Sequence, residues 1–404
     1  MHKKIAVALA AIALLVLPAR AEGPDAADWR AVLEDAKGET VYFHAWGGEP
    51  RINAYIEWAS DMIAAKYGVR LEHVKLDDTA HAVSRIVAEK AAGKDHGGRV
   101  DLVWINGENF AALKNADLLY SPGWAEKLPN WKYVDVEGKP AVVTDFTVPT
   151  EGLESPWGMA KLVFVHDSAR LAHPPKTLDG LYDYLLEHPG RFAYPQPPNF
   201  HGSTFLKQVL ASVIVDPAKL QRPVDEATFG QDVAPLFAYL DKLHPKLWRE
   251  GRAFPQSAAD LRRLLADGEI DISFTFNPSG TSAAIEAGEL PDTVRTFVLD
   301  GGTIGNAHFL AIPYNANAKA GALVAANFLL SPEAQAKKQD PHNWGDPTVL
   351  DVNKLSDDER AIFDEIDLGV ATLPPEDLGP VIPEPHASWM TRIEEEWIAR
   401  YAAQ

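Results

Sequence analysis

Residues 100–119 read VDLVWINGENFAALKNADLL. Asp101 to Ile105 is an apolar run of strand length, and Ala111 to Leu118 carries apolar residues at helical spacing. Between them, Asn106-Gly107-Glu108-Asn109 inserts polar and flexible residues that fit neither period. The stretch therefore reads as strand, loop, helix. A strand that ends by presenting two amides and a carboxylate serves one of three ends: catalysis, ligand binding, or a plain turn.

The same pattern recurs upstream. Thr40 to Ala45 (TVYFHA) is a strand that stops at Trp46-Gly47-Gly48-Glu49, and Pro50 suits a first helical position. Ile52, Tyr55, Ile56, Ala59, Met62 and Ile63 follow at helical spacing. Val69 to Val74 is a second strand. Asp77-Asp78-Thr79 precedes a helix whose inward face carries Val83, Ile86 and Val87. Strand–helix units of about thirty residues imply right-handed crossovers and a mostly parallel sheet. Loops leaving the carboxyl ends of such strands gather along one edge, where ligands bind. Trp46 to Glu49 and Asn106 to Asn109 are thus expected to face one crevice.

A second block follows. Lys161 to His166 and Arg191 to Tyr194 are predicted strands, with a helix from Leu178 to Leu186 capped by Thr177 and Asp179 between them. After the loop Pro195 to Gly202, Ser203 and Thr204 are expected to open a helix through Val213. Further helices are predicted at 228–243 and 258–266, and Ile270 to Phe276 is a strand ending at Asn277-Pro278-Ser279-Gly280. His308 to Ile312, then Lys319 to Leu330, form one more strand and helix, with a new helix start at Ser331-Pro332-Glu333. The stretch 373–385 reads as a Pro-rich linker. It leads to a last helix, Ala387 to Tyr401, with Trp389, Met390, Ile393, Trp397 and Ile398 on one face.

The first 21 residues have the layout of a secretory signal peptide. His2-Lys3-Lys4 is basic, Ile5 to Leu17 is apolar but too short to span a bilayer, and Ala19-Arg20-Ala21 is a small-x-small cleavage site. The chain has no cysteine, so no lipid-anchored N-terminus, disulfide or thiolate-bound metal is expected. Cleavage near Ala21 leaves 383 residues, more than one core usually supports, so two domains are expected. Lys3, Lys4 and Arg20 leave with the peptide, which takes the formal charge from −19 to −22. Such an acidic surface argues against nucleic acid and anionic membrane as partners.

Motifs for covalent or cofactor chemistry are missing. There is no G-x-S-x-G, H-E-x-x-H, Walker loop or G-x-G-x-x-G, and the 13 His show no ligand spacing. Thr204-x-x-Lys207 echoes the S-x-x-K of serine acyl-enzymes without the Ser or its companion motifs. Gly301 to Gly305 is a glycine-rich turn. Glu49 and Glu108, each just past a strand, are the best carboxylate pair for a hydrolase. Trp46, Trp157 and Phe276 stand beside strand ends or the crossover, where aromatics box a planar or cationic ligand. Alternatively they pack a seam between domains. Asn199, His201, Ser203 and Thr204 lie at a helix start that suits an anion or a ligand oxygen, or that is merely capped.

FHAWGGEP, VDLVWINGENFAALKNADLL, PWGMAKLVFVHDSARLAHPPKTLDGLYDYL and HFLAIPYNANAKAGALVAANFLLSPEAQAKK together resemble the periplasmic solute-binding proteins of ABC importers. The family in question includes spermidine/putrescine, thiamine and iron binders. AWGGE, VWINGENF and PPNFHGSTF combined resemble its YnjB-like subfamily in particular. The resemblance implies an α/β, two-lobed periplasmic binding protein fold of type II, with two mostly parallel mixed sheets, helices on both faces and a hinge. Residues 22–152 with 306–404 would form one lobe, whose C-terminal helices could touch both, and 153–305 the other. It implies a small-molecule solute, a permease and an ATPase as partners, contact with the membrane only through the permease, and a monomer without cofactor or metal. By position, Trp46, Glu49, Asn106, Glu108, Trp157 and Asn277 would line the cleft, and on the residue reading Gly47, Gly48, Asn109, Asn199, His201, Ser203, Thr204 and Phe276 are further candidate ligand-binding residues. The adjacent tyrosine pair of the iron binders is absent, since Tyr182 and Tyr184 fall within a helix, so iron is not expected. The expected solute is a cationic or zwitterionic nitrogenous metabolite. An oxyanion or phosphonate, or hydrolysis by Glu49 and Glu108, is the alternative.

Overall fold

The computed structural model describes residues 23–402, so the expected signal peptide lies outside the described residues. The chain opens with α1 (Trp29–Asp35), β1 (Thr40–Trp46), α2 (Pro50–Tyr67), β2 (Arg70–Leu76), α3 (Ala80–Ala91), β3 (Leu102–Ile105) and α4 (Glu108–Asn115). Pro50 starts α2 at its first position and Gly68, at φ 69°, ends it in the left-handed conformation that glycine adopts without strain. A small hairpin, β4 (Thr144–Asp145) and β5 (Val148–Pro149), precedes β6 (Glu154–Lys161). Next come β7 (Val163–Asp167), α5 (Leu178–Glu187), α6 (Phe200–Val213), α7 (Phe229–Leu243), α8 (Ala258–Ala266), β8 (Ile272–Thr275), α9 (Gly280–Glu286) and β9 (Val294–Phe297). The chain returns through β10 (Thr303–Ala311), α10 (Lys319–Leu329), α11 (Pro332–Gln339), α12 (Asp357–Asp364), β11 (Val381–Pro383) and α13 (Ala387–Trp397).

Two sheets organise two lobes. The first runs β11-β10-β3-β1-β2, with β6 also paired to β10. β1 is parallel to β2 and β3, β11 is parallel to β10, and β10 is antiparallel to β3 and β6. The second sheet is β8-β7-β9, extended by a parallel bridge from Phe192 to Ile272. Its two ladders are antiparallel, which departs from the mostly parallel expectation. The reason is connectivity: β7 continues straight out of β6, whereas β8 and β9 arrive on either side of it by helical crossovers. The predicted strand Arg191 to Tyr194 contributes only that one bridge. The Pro-rich stretch is more than a linker, because β11 within it pairs with β10.

The apolar cores follow the sheets. Phe43, Tyr55, Trp157, Leu323 and Phe328 belong to a cluster under the first sheet, and Ile86, Phe110 and Phe309 to one on its other face. Every residue of α10 is buried, most of them in the first cluster, which explains why the helix is apolar on nearly every side. Phe164, Leu206, Leu210, Leu240 and Phe274 lie in the second lobe's core, and Trp389, Ile393 and Trp397 of α13 join them there. Three chain segments pass between the lobes, at 161–163, 303–306 and 383–386.

Candidate functional site

The loops after β1 and β3 sit side by side because both strands are parallel neighbours in one sheet. Trp46 is 38% exposed, and its indole lies where a Cβ on Gly48 would be, so only glycine allows that approach. Gly47 is likewise closed in by Lys75. Glu49 is the residue before α2 and reaches Arg262 of α8 at 3.9 Å, while Arg262 pairs with Glu289 at 2.8 Å. Next to it, Arg51 donates to the carbonyl of Ala283 at 3.0 Å and pairs with Glu286 at 3.3 Å. His342 also meets Glu286, at 3.0 Å. These contacts join the first lobe's α2 and the segment after α11 to α8 and α9 of the second lobe. The Glu49 carboxylate is therefore tied into an ion-pair network.

The second loop differs from its sequence reading. Glu108 belongs to the first turn of α4, where its charge suits the helix dipole. Gly107 has φ 63° and ψ −131°, a conformation open only to glycine, and both Asp145 carboxylate oxygens accept its N–H, at 2.9 and 2.8 Å. Asn106 and Asn109 are half-buried on either side, and Asn109 donates to Glu108 at 3.1 Å. Glu108 is exposed to solvent, with a dense shell of protein around it. Burial pushes its carboxyl above the ordinary 4.5; Lys207 opposes the shift, and Asp78 and Glu384 add to it.

Opposite this loop stands the start of α6. Asn199 caps it, accepting from the His201 N–H at 3.0 Å, so the helix begins at Phe200 and Ser203 and Thr204 lie inside it. The expectation that those two open the helix is corrected. The first turn is already capped by the Asn199 amide, four residues before Ser203. Thr204 turns its hydroxyl back to the Phe200 carbonyl at 2.8 Å and is buried. Ser203 donates to the Glu394 carboxylate of α13. Burial raises Glu394 to about 7, countered by the Ser203 bond and Lys207 and reinforced by Glu108. His201 is held uncharged by burial, at about 4. The α6 entrance therefore already faces a carboxylate of the chain itself.

Three other predicted positions fall in structural roles. Trp157 is fully buried and packed against Phe43, Tyr55, Trp104, His308 and Trp344, with the Trp104 ring centroid 4.9 Å away. It is core, because β6 is covered on that face by α2 and the segment around Trp344. Phe276 is buried against Phe200 at 5.3 Å. Asn277 caps the turn into α9, accepting from the Ser279 N–H at 3.0 Å, and donates to the Trp344 carbonyl at 3.1 Å.

Sequence reasoning missed the floor of the cleft. Lys207 is fully buried, pairs with Glu384 at 2.7 Å and lies over the rings of Phe146 at 4.8 Å and Phe200 at 5.5 Å. Asn306 donates to the other Glu384 oxygen at 2.8 Å. Lys207 carries no signal of this burial in the sequence, since Ser203 and Thr204 one turn before it are polar and it reads as part of a solvated face. Nothing local marks Glu384 or Glu394. Two surface hollows, of about 490 and 720 Å³, are lined by none of the predicted site residues. Among the described residues no cluster of three or more His, Asp or Glu could hold a metal ion.

A family model described as bacterial extracellular solute-binding protein matches residues 58–354. The chain is similar to Protein YnjB of Escherichia coli (strain K12), with 48% identity over 376 residues, 93% of this chain and 94% of that protein. It is similar in fold to the spermidine/putrescine ABC transporter substrate-binding protein PotD from Streptococcus pneumoniae. That match has a TM-score of 0.60 at 16% identity and covers 90% of this chain and 99% of the other. AfuA from Actinobacillus pleuropneumoniae, a periplasmic binding protein with fructose-6-phosphate bound, also matches at 0.60 and 16%, over 91% of this chain and 99% of its own.

Proposed function

The chain belongs to the bacterial extracellular solute-binding proteins, and from that premise we propose that it captures a nitrogenous cation or zwitterion between its lobes for an ABC importer. Residues 23–161 with 306–383 act as one lobe in this reading, and 163–303 with α13 as the other. The protein works in the periplasm after removal of residues 1–21, as a monomer, and hands its solute to a permease served by an ATPase. Closure gains contacts from both lobes at once, so solute shifts a hinge equilibrium by its differential affinity.

The observation that carries the charge preference is the Glu394 carboxylate bonded to Ser203. It stands at the one helix start that suited an anion, with Glu108 on the facing lobe adding to its raised affinity for a proton. Lys207 is already matched by Glu384. Among the described residues Glu108 and Glu394 then form no ion pair of their own and feel Lys207 only through space, and a positive nitrogen between them relieves their repulsion. The fold does not choose the ligand, since PotD is named for polyamines and AfuA holds a sugar phosphate.

A thermal-shift and calorimetry panel tests this, with diamines and polyamines, thiamine, choline-like amines, amino acids, phosphonates, oxyanions and sugars. A solute at 100 times its Kd should stabilise by about 2.7 kcal/mol, a rise of a few degrees at this size. Glu108→Gln and Glu394→Gln should each weaken a cation at least tenfold, while Ser203→Ala does so less. Binding confined to anions, tightened by Glu394→Gln, would reverse the assignment. Turnover of a glycoside or ester, lost in Glu49→Gln and Glu108→Gln, would replace it with the hydrolase.

A further inference from the structure

Phe146 has an unusual position. It is 4% exposed, yet it belongs to none of the apolar clusters that form the cores of the lobes. It sits at the tip of the β4–β5 hairpin, where Asp145 pairs with Val148 across a two-residue turn. Both turn residues are left-handed, Phe146 at φ 42° and Thr147 at φ 74°. Two-residue turns of this hand are the province of Asn and Gly, and a β-branched residue there is an outlier. Such strain persists only where the surroundings over-determine it, and it gathers at clamps and switch regions.

The surroundings come from both lobes. On one side the Phe146 ring lies 3.0 Å from where a Gly107 Cβ would stand, and Asp145 holds the Gly107 N–H, so the hairpin backs the loop that presents Glu108. On the other side the ring receives the Lys207 ammonium of α6. Lys207 is in turn bound through Glu384 to Asn306, residues of two of the three segments that pass between the lobes.

We infer that Phe146 and Lys207 form an interlobe stop: the strained turn holds the ring on the ammonium at the hinge floor, and this contact sets the angle at which the cleft rests when empty. Phe146 is then a positioning residue. It fixes how far Glu108 stands from Glu394 without touching solute itself. This rests on the reading of the protein as a two-lobed binder whose lobes move.

The chain has no cysteine, so Asp61→Cys on α2 and Val215→Cys on the second lobe, both exposed, label one site per lobe for single-molecule energy transfer. In the solute-free protein, Phe146→Ala and Lys207→Met should each move the inter-dye distance distribution to shorter values, because a stop taken from the cleft floor lets the lobes close further. The double variant should move it no further than either single, because both remove one contact. Phe146→Tyr should keep the parent distribution. Lys207→Met leaves Glu384 buried without its cation and could unfold the chain, so Phe146→Ala, judged by a retained cooperative thermal transition, decides the matter. A Phe146→Ala distribution identical to the parent's would overturn the stop, as would additive shifts in the double variant. No solute enters this measurement: a silent ligand panel with a shifted distribution defeats the binding reading alone, and bound solute with an unshifted one defeats the stop alone.

Discussion

Glu394 is the residue on which the proposed charge of the solute turns. Burial lifts its carboxyl from the ordinary 4.5 to about 7. Between those two pH values the folded chain holds a proton there that the unfolded chain has lost, so this group's contribution to stability falls as pH rises from 4.5 to 7. The groups facing it are Ser203, Glu108, Lys207 and Glu395. Melting temperatures measured across that window should decline with pH in the parent and decline less in Glu394→Gln; equal slopes would remove Glu394 from the account. Trp157 shows the opposite case, an aromatic whose position by sequence suggested solute contact and whose surroundings make it core. Trp157→Ala should cost about 3–5 kcal/mol, read by urea unfolding, and leave the ranking of bound solutes unchanged. Both residues were visible in the sequence, but neither role was. A side chain's burial depends on what covers it, and Trp157 is covered by rings from positions 43 to 344.

Among the elements, those with a strong local period were legible to within a few residues. α3, α8, α10 and α11 fall where apolar spacing and Ser or Pro signals put them. Their boundaries were less so: α4 begins at Glu108 because Asp145, distant in sequence, holds Gly107 in a turn no local rule anticipates. β11 went unread for a related reason. Three residues that follow one proline and end in another have no period, and they become a strand only because β10 offers its edge. Lys161 fastens that segment, donating to the carbonyls of Leu378, Gly379 and Pro380 at 2.5, 2.8 and 3.0 Å. Lys161→Met should leave those carbonyls without their donor and loosen β11, seen as faster hydrogen exchange at the Ile382 amide with the rest of the first sheet unchanged. Unaltered exchange there would mean that the ladder to β10 suffices.

At the scale of the whole molecule, the alternation of strand and helix determined the fold class and the edge of the sheet at which the β1 and β3 loops meet. Those features are local in origin, since a period of two or 3.6 residues states which face of a segment is apolar. A likeness spread along most of the chain then told the family. What local periodicity does not state is which distant segment covers each face. Ser203 meets Glu394 across 191 positions and Lys207 meets Glu384 across 177. The last helix, remote from the second lobe in sequence, supplies the carboxylate on which the proposed preference for a cation rests. The antiparallel pairing of β7, the burial of Trp157 and the seating of Phe146 on Lys207 were likewise decided by tertiary structure. In each case partners far apart in the chain compete for one buried surface, and only their packing settles which of them reaches it.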